Sequence, residues 1–181
     1  MNSLLKGVNL YLVGMMGAGK TVVGRTLATK LGYRFVDNDA VIEQVAGKSI
    51  TQVFASDGEE AFRQMESQVL AEVCAYTNLV IATGGGIVLR RENWSYLHHG
   101  LVVWLDVPVE QLYARLTSDT TRPLLHDVDR LGKLRSLLEQ RQPLYAQADL
   151  RITLSNEETP EQIATQVLKK IPTVLKPDSR N

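Results

Sequence analysis

The segment Gly14-Met15-Met16-Gly17-Ala18-Gly19-Lys20-Thr21 fits the pattern G-x-x-x-x-G-K-[ST], by which a backbone loop grips phosphate. Its glycines let successive N–H groups converge on phosphate oxygens, and the helix that follows turns the positive end of its dipole toward the same anion. Lys20 is placed to reach the β- and γ-phosphates of a nucleoside triphosphate, and the Thr21 hydroxyl to ligate Mg2+. The match sits after an apolar run and before an amphipathic stretch, the strand–loop–helix context this chemistry requires. Alone, the loop indicates triphosphate binding and does not separate a kinase from a GTPase or a motor. The base-reading motif N-K-x-D of guanine-nucleotide switches is absent from the sequence, which disfavours a GTPase.

Three further groups of residues could act on what the loop holds. In Asp37-Asn38-Asp39 the two carboxylates point the same way if the second strand persists, toward the phosphates. The competing role is a helix N-cap, since Asp or Asn before a helical stretch stabilises its first turn. The run Thr83-Gly84-Gly85-Gly86 leaves backbone N–H groups open to a ligand that comes close. Arg63, three residues before Glu66 on a predicted helix, would by itself be a solvated surface pair. Arg122 precedes Pro123, and Arg141 precedes Pro143 and Tyr145; each would be unremarked alone.

Apolar runs at residues 8–13, 33–36, 79–82, 101–105 and, more weakly, 150–154 read as strands buried on both faces. Between them the spacing predicts helices, through Val22, Val23, Leu27 and Leu31; Phe62, Met65, Val69, Leu70 and Val73; Leu112 and Leu116; and Leu134, Leu137 and Leu138. Alternating strands and helices imply parallel pairing by right-handed crossovers, hence one three-layer α/β/α domain over residues 1–181, with ligands at the carboxyl ends of the strands. Residues 117–130, rich in Thr, Asp and Arg, have no clear period and read as a mobile loop or short lid.

With 20 Lys+Arg against 20 Asp+Glu in 181 residues, no net field would hold the chain on nucleic acid or an anionic membrane, so anion binding must be local. Cys74, the single cysteine, reads as a small buried hydrophobe. No cleavage-site pattern or membrane-length apolar segment occurs, so a soluble cytoplasmic monomer is expected, a plastid location remaining compatible with a removed transit peptide.

Taken together, G-M-M-G-A-G-K-T, F-V-D-N-D, F-R-Q-M-E, A-T-G-G-G, T-R-P-L-L and R-Q-P-L-Y, in this order and at these separations, resemble the shikimate kinases over residues 9–154. The resemblance implies the nucleoside monophosphate kinase branch of P-loop folds, with a five-stranded parallel sheet and a mobile lid. It implies transfer of the γ-phosphoryl of ATP to the 3-hydroxyl of shikimate. By it, Gly14, Met15, Met16, Gly17, Ala18, Gly19, Lys20 and Thr21 hold ATP, with Arg115 against the adenine and residues 155–160 closing its other side. Asp39 accepts a hydrogen bond from the attacking hydroxyl, and Asp37 holds Mg2+ through water. Arg63 and Arg141 bind the substrate carboxylate, with Gly84, Gly85 and Gly86 lining the same pocket, and Arg122 swings in with the lid. The glycine run stands where many P-loop proteins keep a metal-binding Asp. Gln64 replaces the second basic residue of many relatives, and the tail after Ile171 carries no family signature, so residues 172–181 are expected to fray. Kinases for gluconate or nucleoside monophosphates are the enzymatic alternatives, against which the triple glycine and paired arginines argue. A kinase-like binding protein would be expected to have lost one of Lys20, Asp37, Asp39, Arg63, Arg122 and Arg141, all of which are present.

Overall fold

In the computed structural model, which describes residues 4–117 and 129–175, the apolar runs become strands β1 (Leu10–Val13), β2 (Arg34–Asp37), β3 (Leu79–Ala82), β4 (Leu101–Asp106) and β5 (Leu150–Thr153). The sheet is parallel throughout, in the order β2-β3-β1-β4-β5. Central strands covered on both faces need continuous apolar sequence, and β1 and β3 are buried at every residue. Edge strand β5 alternates buried and exposed, which is why its run was the weakest. The first strand starts two residues later than residues 8–13 suggested. Asn9 intervenes, its Nδ2 donating to Tyr76 O at 2.7 Å and its Oδ1 accepting from Leu79 N at 3.0 Å.

The helices are α1 (Lys20–Leu31), α2 (Asn38–Ala46), α3 (Ile50–Val73), α4 (Arg91–Leu97), α5 (Val109–Leu116), α6 (Arg130–Tyr145) and α7 (Pro160–Lys170). Right-handed crossovers leaving β1 in one direction along the sheet and β3 and β4 in the other put α1 on one face and α4 to α6 on the opposite one. The observed packing agrees: α1 lies against α7, α3 against α4, and α5 against α6. The expected three-layer α/β/α arrangement is therefore present. Gly58, at φ 84°, breaks α3 into two segments, the second of which carries Phe62 to Val73 over the core.

Some expectations need correction. Val22 faces outward, 55% exposed. Cys74 is only half-buried, its Sγ 3.1 Å from Ala71 O, with burial raising the thiol pKa. The tail expected to fray from residue 172 is ordered further: Ile171–Thr173 forms a 3₁₀ turn packed on α7, with Ile171 buried. Thr117 closes α5, and Asp129 caps α6 by accepting from Gly132 N at 3.1 Å. Residues 118–128, with Arg122 and the body of the expected lid, lie outside the described residues, as do residues 176–181. No helix among the described residues is long and apolar enough to cross a membrane.

Candidate active site

The phosphate loop leaves the central strand β1, turns at Gly14, Gly17 and Gly19 with φ values of 147°, 80° and 89°, and enters α1 at Lys20. Each of those angles favours glycine, which accounts for the three in the motif. Lys20 Nζ donates to Gly14 O at 2.7 Å and Met15 O at 2.8 Å, so the ammonium is held against the loop. Arg115 Nη1 donates to Gly17 O at 3.0 Å, so α5 brings this arginine to the loop's exposed rim.

The second strand does not persist through the acidic pair. It ends at Asp37 and α2 begins at Asn38, so Asp37 and Asp39 are not alternate residues of one strand. Of the two roles considered, the N-cap is the one observed for Asp37, and it occupies only one of the two oxygens. Oδ1 caps α2, accepting from Asp39 N at 3.0 Å and Ala40 N at 3.4 Å, while Oδ2 accepts from Thr21 Oγ1 at 3.0 Å. Asp39, in the first turn of α2, lies across from the glycine run after β3.

That run is close-packed by the charged residues of the site. A Cβ on Gly84 would stand 2.9 Å from Asp39 Oδ1 and 2.8 Å from Glu66 Oε2. One on Gly85 would stand 3.2 Å from an Arg141 guanidinium nitrogen, and one on Gly86 would overlap the Arg63 guanidinium. The glycines thus give four ionisable side chains room to converge.

Arg63 and Glu66 are not the solvated pair that their spacing alone suggested. Arg63 is 8% and Glu66 1% exposed, with Nη1 and Oε1 2.8 Å apart. Arg141 is 4% exposed. Burial raises the Glu66 pKa, opposed chiefly by Arg63, with Asp39 adding to the rise and Arg141 opposing it. Arg63 Nε, Arg141 Nε and Glu66 Oε2 have no hydrogen-bond partner among the described residues. Buried guanidinium N–H groups in this condition call for an acceptor, best an anion. They line a cleft of about 930 Å3 that also holds Lys20, Asp39, the three glycines and the ring pair Phe54–Phe62. One continuous space is therefore lined by both the phosphate loop and two buried cations.

The family model described as shikimate kinase matches residues 16–172. The chain is 69% identical to the shikimate kinase of Nostoc sp. (strain PCC 7120 / SAG 25.82 / UTEX 2576) over 181 residues, all of both chains. The chain belongs to the shikimate kinase family. It is also 67% identical to the shikimate kinase of Nostoc punctiforme over 179 residues, 99% of each chain. The structure of shikimate kinase from Acinetobacter baumannii in complex with shikimate superposes with a TM-score of 0.90 at 41% identity, covering 94% of this chain and 96% of that one. Because the Nostoc match runs to residue 181, the C-terminal tail that carried no motif also has counterparts in the family.

In this shikimate kinase fold, residues beyond the expected set join the site. Tyr145, fully buried, donates its hydroxyl to Gly85 O at 2.6 Å. Phe54 and Phe62 pack as a tilted ring pair, with centroids 4.7 Å apart and planes at 35°, beside the arginines. Glu66 was visible only as a partner of Arg63, yet a signal for its burial existed. It sits four residues after Phe62 and three and four before Val69 and Leu70, inside the apolar stripe of α3. Arg141 and Tyr145 likewise continue the Leu134–Leu138 stripe of α6. A charge on an apolar stripe marks a burial that must be compensated.

Proposed function

We propose that the chain transfers the γ-phosphoryl group of ATP to the 3-hydroxyl of shikimate, giving shikimate 3-phosphate and ADP. The observation that carries this reading is the pair of buried arginines sharing one cleft with the phosphate loop and with Asp39. The arginines take the acceptor's carboxylate, each planar fork offering donors to both oxygens. A neutral acceptor would leave the unsatisfied guanidinium N–H groups of both arginines without an anion, so the cleft selects acids over neutral sugars.

The transferring group passes through a loose transition state, so catalysis is mainly alignment and charge stabilisation. The bond from the γ-phosphorus to the β,γ-bridging oxygen breaks as a bond to the acceptor oxygen forms, the bridging oxygen leaves with ADP, and the hydroxyl proton, released late, passes by way of the Asp39 carboxylate to water. Asp39 accepts a hydrogen bond from that hydroxyl and aims its lone pair, which needs no raised pKa. Lys20, at the loop carbonyls of Gly14 and Met15, places its positive charge beside the phosphates. Thr21 and Asp37 offer hard oxygen donors suited to Mg2+, and their mutual hydrogen bond brings them within 3.0 Å. When bound there, Mg2+ neutralises charge on the phosphate oxygens. Among the described residues no group of three or more His, Cys, Asp or Glu could hold a metal ion. Arg115 is assigned to the nucleotide base. Arg122, outside the described residues, is assigned to the transferring phosphoryl by family likeness alone. A monomeric, one-domain cytoplasmic enzyme that uses ATP and shikimate is part of the same reading.

ADP release measured with shikimate, gluconate and nucleoside monophosphates as acceptors tests the function. Turnover with shikimate alone is expected, and preference for another acceptor would refute the assignment. Asp39→Asn should lower kcat far more than it weakens ATP binding; equal loss in both would make Asp39 a metal-site residue instead.

A further inference from the structure

The motif R-Q-P-L-Y supplies Arg141 to the site, but its tyrosine has no role in the mechanism above. The Tyr145 ring stacks on Trp104 of β4 with centroids 5.8 Å apart and planes at 27°. Its hydroxyl is 2.6 Å from Gly85 O and 3.6 Å from Met15 Sδ of the phosphate loop. One hydroxyl proton cannot serve both, so the short bond to the carbonyl is the one made and Met15 is a packing neighbour. Arg141 lies one turn earlier on α6 with its guanidinium beside the hydroxyl, and Arg63 and Glu66 of α3 complete the charged surroundings. Burial pushes the phenol pKa up to about 12, so it remains a donor across the neutral range.

The peptide held by this bond joins Gly85 to Gly86. Among the described residues every peptide bond is trans, and in a planar trans peptide the C=O and the following N–H point in opposite directions. Fixing Gly85 O on Tyr145 therefore fixes Gly86 N–H on the side away from it. No acceptor among the described residues takes that N–H. Gly86 packs against the Arg63 guanidinium and Gly85 against that of Arg141. Ile87 N–H donates to Gly84 O at 3.2 Å and closes a turn whose central peptide this is, and with no side chain on either glycine that peptide could flip within the turn unless something outside it holds the carbonyl.

We propose that Tyr145 is a positioning residue for acceptor binding: its hydroxyl sets the Gly85–Gly86 peptide so that Gly86 N–H becomes a third donor to the carboxylate, beside Arg63 and Arg141. Tyr145 has this role only if the acceptor is an acid, as proposed above.

Tyr145→Phe keeps the ring on Trp104 and deletes the hydroxyl alone. The KM for shikimate is expected to rise roughly fivefold to tenfold, with kcat and the KM for ATP within about twofold of wild type. A tyrosine with a purely structural role would lower the melting temperature and kcat together and leave the shikimate KM alone. That pattern, or an unchanged shikimate KM, overturns the proposal. Should Tyr145→Phe not fold, 3-fluorotyrosine at position 145 preserves the shape and makes the phenol more acidic. The pH at which the shikimate KM begins to climb should then fall below that of wild type, and identical profiles overturn the proposal. Wild-type turnover of shikimate is the control. Its absence would overturn the assigned function and the role of Tyr145 with it, whereas turnover by wild type with an unchanged KM in the variant overturns only the latter.

Discussion

Gly84→Ala adds one methyl group at the point where the acceptor-orienting carboxylate and the arginine-holding carboxylate meet. Its φ lies outside the left-handed region, so alanine introduces no backbone strain and the effect is steric. The new Cβ would stand 2.9 Å from Asp39 Oδ1 and 2.8 Å from Glu66 Oε2, so each oxygen must retreat by about half an ångström to reach an ordinary contact of 3.4 Å. A misplacement of about 1 Å in a reacting geometry costs roughly 100-fold in rate, so half of that at Asp39 predicts a fall in kcat of about tenfold. Displacing Glu66 also loosens its 2.8 Å bond to Arg63, and weakening a charge-assisted bond to a buried guanidinium should raise the shikimate KM by about threefold to tenfold. The phosphate loop is not displaced, so the KM for ATP should stay within about twofold. A coupled ADP-release assay with each substrate varied in turn separates these effects, with a melting curve to show that the variant is folded. A folded variant with kcat and shikimate KM both within twofold of wild type would refute the idea that the glycine run makes room for Asp39 and Glu66.

Three other perturbations follow from the same geometry. The folded-state pKa of Tyr145 is raised from 10.0 to about 12, so its contribution to stability is complete below pH 10 and lost as pH rises through 12. Denaturation of wild type against Tyr145→Phe should show an extra loss on the order of 2–3 kcal/mol across that window, and parallel curves would contradict it. Asp37→Asn retains a capping oxygen but removes the charge beside Thr21. Its melting temperature should stay within about 2 °C of wild type while the Mg2+ concentration for half-maximal rate rises about tenfold; a Mg2+ titration of the rate decides. Gly24→Ala would gain about 1 kcal/mol of helix propensity but place its Cβ 2.6 Å from the Phe35 ring and 3.3 Å from Leu12 Cδ1. Overpacking of about 1–3 kcal/mol should prevail, lowering the melting temperature by a few degrees, and a rise would mean that the half-buried Phe35 ring yields freely.

The alternation of apolar strands with amphipathic helices was readable because parallel strands buried on both faces must be apolar throughout, as β1 and β3 are. The phosphate loop was equally plain, since its glycines answer to backbone angles that other residues avoid. What sequence order could not supply was which side chains share a space. Asp37 illustrates this: an N-cap and a carboxylate facing the phosphates are alternatives on paper, but a carboxylate has two oxygens, and the fold uses one for the cap and turns the other to Thr21 of the phosphate loop. The glycine run was read as exposing N–H groups to a ligand, whereas its packing against Asp39, Glu66, Arg63 and Arg141 depends on neighbours 18 to 56 residues away in sequence. Arg63 and Arg141 resembled surface residues because burial is a property of the stripe they sit on and not of the residue type. Their positions among Phe62, Leu70, Leu134 and Tyr145 carried that information.

The most direct test of the account is the identity of the phosphorylated atom. Purified chain incubated with ATP, Mg2+ and shikimate, and followed by phosphorus and proton NMR, should convert one ATP to one ADP per shikimate consumed, with the new phosphorus coupled to the proton on carbon 3. Phosphate on any other position, or ADP formed with free phosphate and unchanged shikimate, would contradict it.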